Sequence, residues 1–224
     1  MEKTLKHTIV DIVINLAIII ILVLVIQKWI IAPFDVYGSS MCDTINNIEG
    51  ECQSGFGEKI IINEIGYQIS GPQRGEIVIF KAPQEDETRF FIKRIIGTPG
   101  DKIRIDDGEV YLTATGTDKE IKLDEPYLNK VNKGTTENYF SDFNQFDVPE
   151  GKYFLMGDNR RASTDSRTCF QPGIKISCKD NPERVYIEED SIRGKAWVVW
   201  WPLGSMRQID HATYPELSES LAEK

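Results

Sequence analysis

RFFIKRIIGTPGDKI, residues 89–103, opens with side chains that alternate at a period of two. Phe91, Lys93 and Ile95 fall on one face of an extended strand, and Ile92, Arg94 and Ile96 on the other. Strand-like runs of this kind recur on either side, with turn residues between them: Lys59–Asn63, Glu76–Phe80, Lys102–Ile105, Glu109–Leu112, Lys152–Met156, Arg184–Ile187 and Lys195–Trp200. Helical periodicity of useful length is absent after residue 31. The expected fold is therefore mostly β, an antiparallel sheet system coiled into a barrel or a sandwich. The stretch 113–150 is more polar and reads as a lobe or insertion, and the tail 212–224 is polar and peripheral.

The N-terminus is different in kind. From Ile9 to Ile31 the chain reads IVDIVINLAIIIILVLVIQKWII, with Asp11 and Lys28 as its charges. Roughly 20 apolar residues in a helix cross a hydrocarbon core of about 30 Å. Residues 8–31 are thus expected to form a retained transmembrane anchor, with residues 1–7 as a short tail and 32–211 as the domain beyond it. Lys3 and Lys6 favour a cytoplasmic N-terminus and an extracytoplasmic domain. A cleaved secretory signal is the competing reading; its apolar core would be long, and IAPFDVYG after it offers no small-x-small site.

Net charge is −9 over 224 residues, with Lys and Arg dispersed rather than striped, which argues against nucleic acid as a partner. Four cysteines, Cys42, Cys52, Cys169 and Cys178, all follow the anchor, and an even count in an exported domain suggests disulfides. The short-range pairs Cys42–Cys52 and Cys169–Cys178 are the natural choice among three connectivities. Each would close a loop of ~10 residues, worth roughly 2.5–3 kcal/mol in the chain-entropy model. A zinc site finds no CxxC motif and no suitable histidine, and no metal or organic cofactor is implied.

Three segments could carry chemistry. VYGSSMCDTI, 36–45, places two serines after Gly38 at the end of an extended run. Lys93 shares an apolar strand face, where desolvation lowers an amine's pKa by up to about 3–5 units and fits it to act as a general base. MGDNRRASTDSR, 156–167, turns at Gly157-Asp158-Asn159 and crowds polar groups that could hold Ser163 against a partner. Locally each has a plain reading: a surface loop, a lysine snorkelling to water, a solvated turn. Beyond the anchor the only histidine is His211, so a Ser-His-Asp triad would hang on one residue near a polar tail. Serine can be activated by a lysine amine instead.

In order and spacing these segments resemble the boxes of signal peptidase I, and GEKIIINEIGY (57–67), RGEIVIF (74–80) and AWVVWWPLGSM (196–206) resemble its remaining β segments. The resemblance spans most of residues 9–206. It implies a membrane-anchored serine endopeptidase that removes signal peptides from exported preproteins after small-x-small motifs. Ser40 then matches the nucleophile, Lys93 the base and Ser163 the hydroxyl that orients the amine. Asp165 and Arg167 match a supporting pair, and Asp158 and Arg160 shape the same shelf. The Ser40 N–H is the expected oxyanion donor. Phe34, Val36, Tyr37, Met41, Ile79, Phe91 and Ile92 should line the substrate pockets. Expected partners are the preproteins, the bilayer of the plasma membrane, on which Phe34 and Trp200–Trp201 could rest, and the protein translocation machinery.

One position departs from the family pattern. Asp43 stands where the family has proline, so the nucleophile loop loses a fixed φ and gains an anion that could hold Lys93 protonated. A Cys42–Cys52 disulfide could restore the rigidity. The substitution also keeps a second reading open: a non-catalytic or narrowly dedicated relative that binds signal-sequence-like or pilin-like segments.

Overall fold

The computed structural model describes residues 2–29, 31–81, 89–140, 143–171 and 182–217. Helix α1 (Glu2–Trp29) opens the chain. Its window His7–Leu24 has a mean hydropathy of 2.6 and buries none of its surface against the rest of the protein. A helix that apolar, with no protein face to cover it, has the length and composition to cross a bilayer. The helix starts earlier than the expected residue 8, and by Ile31 the chain is already extended as β1 (Ile31–Tyr37).

The rest is mostly β. After β1 come a small hairpin, β2 (Asn47–Ile48) and β3 (Glu51–Cys52), then β4 (Phe56–Asn63), helix α2 (Glu64–Ser70), β5 (Ile77–Lys81) and β6 (Phe90–Gly97). Next are β7 (Lys102–Asp106), β8 (Glu109–Thr113), β9 (Glu120–Lys122), β10 (Gln145–Asp147) and β11 (Lys152–Met156). The chain finishes with β12 (Ile187–Glu188), β13 (Ile192–Trp201) and β14 (Arg207–Gln208). The main sheet runs β1-β4-β13-β5-β6-β11-β12, with β14 on β13, and a second sheet runs β10-β7-β8-β9. All the pairings among the described residues are antiparallel. Among the described residues β1 and β12 stay at opposite ends, so the sheet is open rather than a closed barrel.

Two local expectations are corrected. Arg184–Ile187, expected as a strand, is instead a 3₁₀ turn over Pro182–Val185 followed by the short β12. Pro182 fixes a φ suited to that turn and cannot donate to a ladder. The seven-residue α2 was not foreseen; the Asn63 side chain caps it by accepting from the Gly66 N–H, and Gly71, at φ +66°, ends it.

Packing places the chemistry-bearing strands in the interior. Ile60, Ile62, Ile77, Ile79 and Val199 are buried under β1, β4, β13 and β5, while Ile103, Val110, Leu112, Phe146 and Phe154 fill the space beneath the second sheet. The polar stretch 113–150 joins that second core through Leu123, Phe146 and Val148, so it is built into the domain rather than appended to it.

Candidate active site

Lys93 lies in mid-strand on β6, which pairs with β5 on one side and β11 on the other; Val78 is opposite Lys93, and Met156 is opposite Arg94. The chain leaving β11 at Gly157 therefore turns beside Lys93. The amine is enclosed, with Lys93 only 2% exposed, and it donates to Ser40 Oγ at 2.6 Å and to the Ile92 carbonyl at 2.8 Å. Burial pushes its pKa down to about 8, against the opposing pull of the Asp165 and Asp158 carboxylates.

Ser40 follows the end of β1. Gly38, at φ +89°, bends the backbone in a conformation that other residues adopt only with strain. A turn then forms, with the Cys42 N–H bonded to the Ser39 carbonyl and the Ile45 N–H to that of Met41. Cys42 is disulfide-bonded to Cys52 on β3, Cα atoms 5.3 Å apart. Beneath the loop Asn46, itself at φ +68° and fully buried, donates to the Gly38 and Gln53 carbonyls at 2.9 and 3.0 Å. Its N–H meets Glu58, which binds Arg207, and Arg207 reaches the Thr44 carbonyl at 2.7 Å. The Ser40 N–H donates to none of the described residues.

The shelf of residues 157–168 is hydrogen-bonded directly to this loop. The Asn159 N–H donates to the Ser40 carbonyl at 3.0 Å, and the Asn159 amide to that of Ser39 at 3.0 Å. A Cβ on Gly157 would collide with the Ser40 carbonyl and with Ser163. Asp165 and Arg167 pair at 2.8 Å with neither exposed. Burial opposes ionisation of Asp165, but Arg167 and the Gly157 N–H outweigh it and hold the carboxyl below its usual range. Ser163 is 8% exposed, and its hydroxyl has no directed hydrogen bond among the described residues; its bond to Lys93 is absent here.

Asp158 and Arg160 do not pair with each other. Asp158 binds Arg94 at 2.7 Å and accepts from Thr44, while Arg160 makes a two-pronged bond to Glu125 at 2.6 and 3.0 Å and touches Thr136. The Arg94 guanidinium stacks on the Tyr127 ring at 4.0 Å. Arg94, Glu125, Tyr127 and Asn46 are site-shaping residues that local sequence patterns did not reveal. Asn46 alone left a signal, as asparagine is among the few non-glycine residues enriched at positive φ.

Asp43 faces away from Lys93. Its carboxylate accepts from the Asn129 N–H at 2.7 Å, the Asn129 amide at 2.9 Å and the Asn132 amide at 2.8 Å. Burial pushes its pKa up, and it is not among the charges that act on Lys93.

A cleft of about 760 Å³ opens at Ser40 and Lys93, walled by Phe34, Tyr37, Phe56, Phe91, Ile92 and Thr164. Four of the seven expected pocket residues, Phe34, Tyr37, Phe91 and Ile92, lie on it. Val36, Met41 and Ile79 are at most 1% exposed; they belong to the core behind the wall and are not among its lining residues. Cys169 is disulfide-bonded, while Cys178 lies outside the described residues.

A hydroxyl in contact with a buried amine stands at the head of an open cleft, in a β domain that follows a helix long and apolar enough to cross a membrane. The model of the family "Signal peptidase, peptidase S26" matches residues 9–201, and the chain belongs to that family. It is 29% identical over 214 residues to signal peptidase IB of Staphylococcus aureus (strain COL), covering 91% of this chain and 95% of that protein. To signal peptidase I T of Bacillus subtilis (strain 168) it is 33% identical over 196 residues, 86% of each chain. A crystal structure of a signal peptidase I from Enterococcus faecalis V583 is 27% identical, covers 56% of this chain and 97% of that one, and superposes with a TM-score of 0.39, too low to bear on the fold.

Proposed function

We propose that this peptidase removes N-terminal signal peptides from exported preproteins by a Ser40–Lys93 mechanism. The observation that carries the reading is the 2.6 Å contact between the Ser40 hydroxyl and an amine whose pKa burial has lowered to about 8. Ser40 Oγ attacks the scissile carbonyl while its proton passes to Lys93 Nζ. The Ser40 N–H receives the oxyanion. On collapse the Lys93 ammonium returns the proton to the departing amine, leaving an acyl-enzyme. A water, deprotonated by Lys93, then releases the signal peptide and regenerates the serine. Asp165, Arg167, Asp158 and Arg160 hold the shelf, and Ser163 steadies the amine once substrate excludes water.

In this reading Phe34, Tyr37, Phe91 and Ile92 form the shallow apolar wall that accepts small side chains before the cut, and Val36, Met41 and Ile79 support it from behind. The N-terminus is cytoplasmic and the β domain faces outward at the plasma membrane, with Trp201, 45% exposed, resting on the lipid. Preproteins would arrive from the translocation machinery. Asp43 gives the non-catalytic reading little support, because its carboxylate is engaged by Asn129 and Asn132.

Incubating the full-length protein with a preprotein whose signal ends in Ala-x-Ala tests the proposal. Cleavage should vanish in both Ser40→Ala and Lys93→Ala. Survival of cleavage in Lys93→Ala would refute the mechanism, and tight binding without cleavage in the unaltered protein would favour the non-catalytic reading.

A further inference from the structure

Beside the bonds that Asn159, Asn46 and Arg207 make to its carbonyls, the nucleophile loop has three further ties. Cys42 ties it to β3, Thr44 donates to Asp158 on the shelf, and Asp43 reaches across to the turn at 129–132. The third tie is unlike the others because it is built for one anion. Three N–H groups converge on the two Asp43 oxygens within 2.7–2.9 Å, and two of them are side-chain amides that must be aimed. The turn is already shaped for the task, since Asn129 Oδ1 accepts from the Val131 and Asn132 N–H groups at 2.8 and 3.0 Å. Asn132, 3% exposed, also accepts from the Arg161 N–H at 3.2 Å. One amide side chain therefore joins the loop bearing Ser40 to the shelf that bonds the Ser40 carbonyl.

We infer that Asp43 is a positioning residue: through Asn129 and Asn132 it locks the nucleophile loop to the shelf and fixes the Ser40 hydroxyl against Lys93. This rests on Ser40 being the nucleophile. Bonds to an ionised acceptor are stronger than neutral ones; the Asn132 bond is half-buried and those of Asn129 are open to solvent, and together they restrain the loop. A displacement of about 1 Å in a reacting group lowers turnover on the order of a hundredfold. Because Asp43 acts by geometry and its charge is spent on the amides, its removal should slow the reaction without moving the protonation of Lys93.

The test measures kcat, KM and the pH–rate profile of the full-length protein on one preprotein, with Ser40→Ala in parallel. Asp43→Ala should lower kcat about ten- to a hundredfold, leave KM within about threefold and leave the pH midpoint unchanged. Asn132→Ala, which breaks the clamp from the other side, should lower kcat in the same sense with a smaller loss. Adding Asp43→Ala to Asn129→Ala and Asn132→Ala together should cost less than Asp43→Ala costs in the unaltered protein, because only the bond to the backbone N–H of residue 129 is left to lose. Asp43→Asn should recover part of the rate, because its carbonyl can still accept from the Asn129 N–H. If Asp43→Ala is too unstable to assay, Asn132→Ala alone decides: kcat at the unaltered level overturns the clamp. A shift of the pH midpoint in Asp43→Ala would mean that Asp43 acts as a charge, and additive losses would mean that the two sides are uncoupled; either result overturns the inference. Should Ser40→Ala still cleave, it is the assignment of the nucleophile that fails. Should Ser40→Ala be dead and Asp43→Ala run at the unaltered rate, the clamp alone fails.

Discussion

A lysine amine 2.6 Å from a serine hydroxyl can accept a proton only while it is neutral. Lys93 is drawn down to about 8 chiefly by burial, and Asp165 and Asp158 keep it from falling further. The base form is thus the minority below that pH and the majority above it. The expected kcat/KM rises about tenfold per pH unit on the acid side and levels off above about 8, as initial rates on a preprotein between about pH 6 and 10 will show. A flat profile through that range would contradict Lys93 as the base. The anomaly of Lys93 was legible in sequence, because alternation along β6 placed a charge on an apolar face. The direction of Asp43 was not. Its partners Asn129 and Asn132 lie 86 and 89 residues away, and contacts at that separation leave no local periodicity to read.

At the scale of elements, the polar stretch 113–150 turned out to be structural support for the site. Arg160 is fully buried from the shelf and meets Glu125, 5% exposed, from that stretch. Taking one partner away strands the other charge in the interior. Glu125→Ala should therefore cost about 3–5 kcal/mol of stability, measured by urea unfolding of the full chain, whereas replacing the pair together with Leu and Met should recover most of the loss. Strands with clean alternation, such as β7 and β8, could be read directly. Arg184–Ile187 reads as a strand because its residues favour one, but it pairs only from Ile187, after the 3₁₀ turn at Pro182–Val185. Short α2 escaped notice for the opposite reason: seven residues are too few to build a helical stripe.

For the molecule as a whole, α1 and the β domain are nearly independent. The His7–Leu24 window buries none of its surface against the domain, so the core owes that window nothing. A chain lacking residues 1–24 should unfold at a temperature within a few degrees of the full-length protein, monitored by circular dichroism in the same detergent. A fall of about 10 °C or more would show that the helix supports the fold. The mostly β class was evident from the recurring strands. Whether the sheet closes was not, since closure is decided by which strands pair at its edges rather than by any one strand's pattern.

The order of strands has one more consequence. β13, the last long strand, sits in the middle of the main sheet between β4 and β5. The loop bearing Ser40 follows β1 on one side of it, and Lys93 belongs to β6 on the other. Until Ile192–Trp201 has left the ribosome, no ladder among the described residues joins the half of the sheet that carries the serine to the half that carries the amine. The newborn chain holds both the serine and the amine long before it holds the keystone between them, so the joining of the sheet waits for nearly the whole of synthesis.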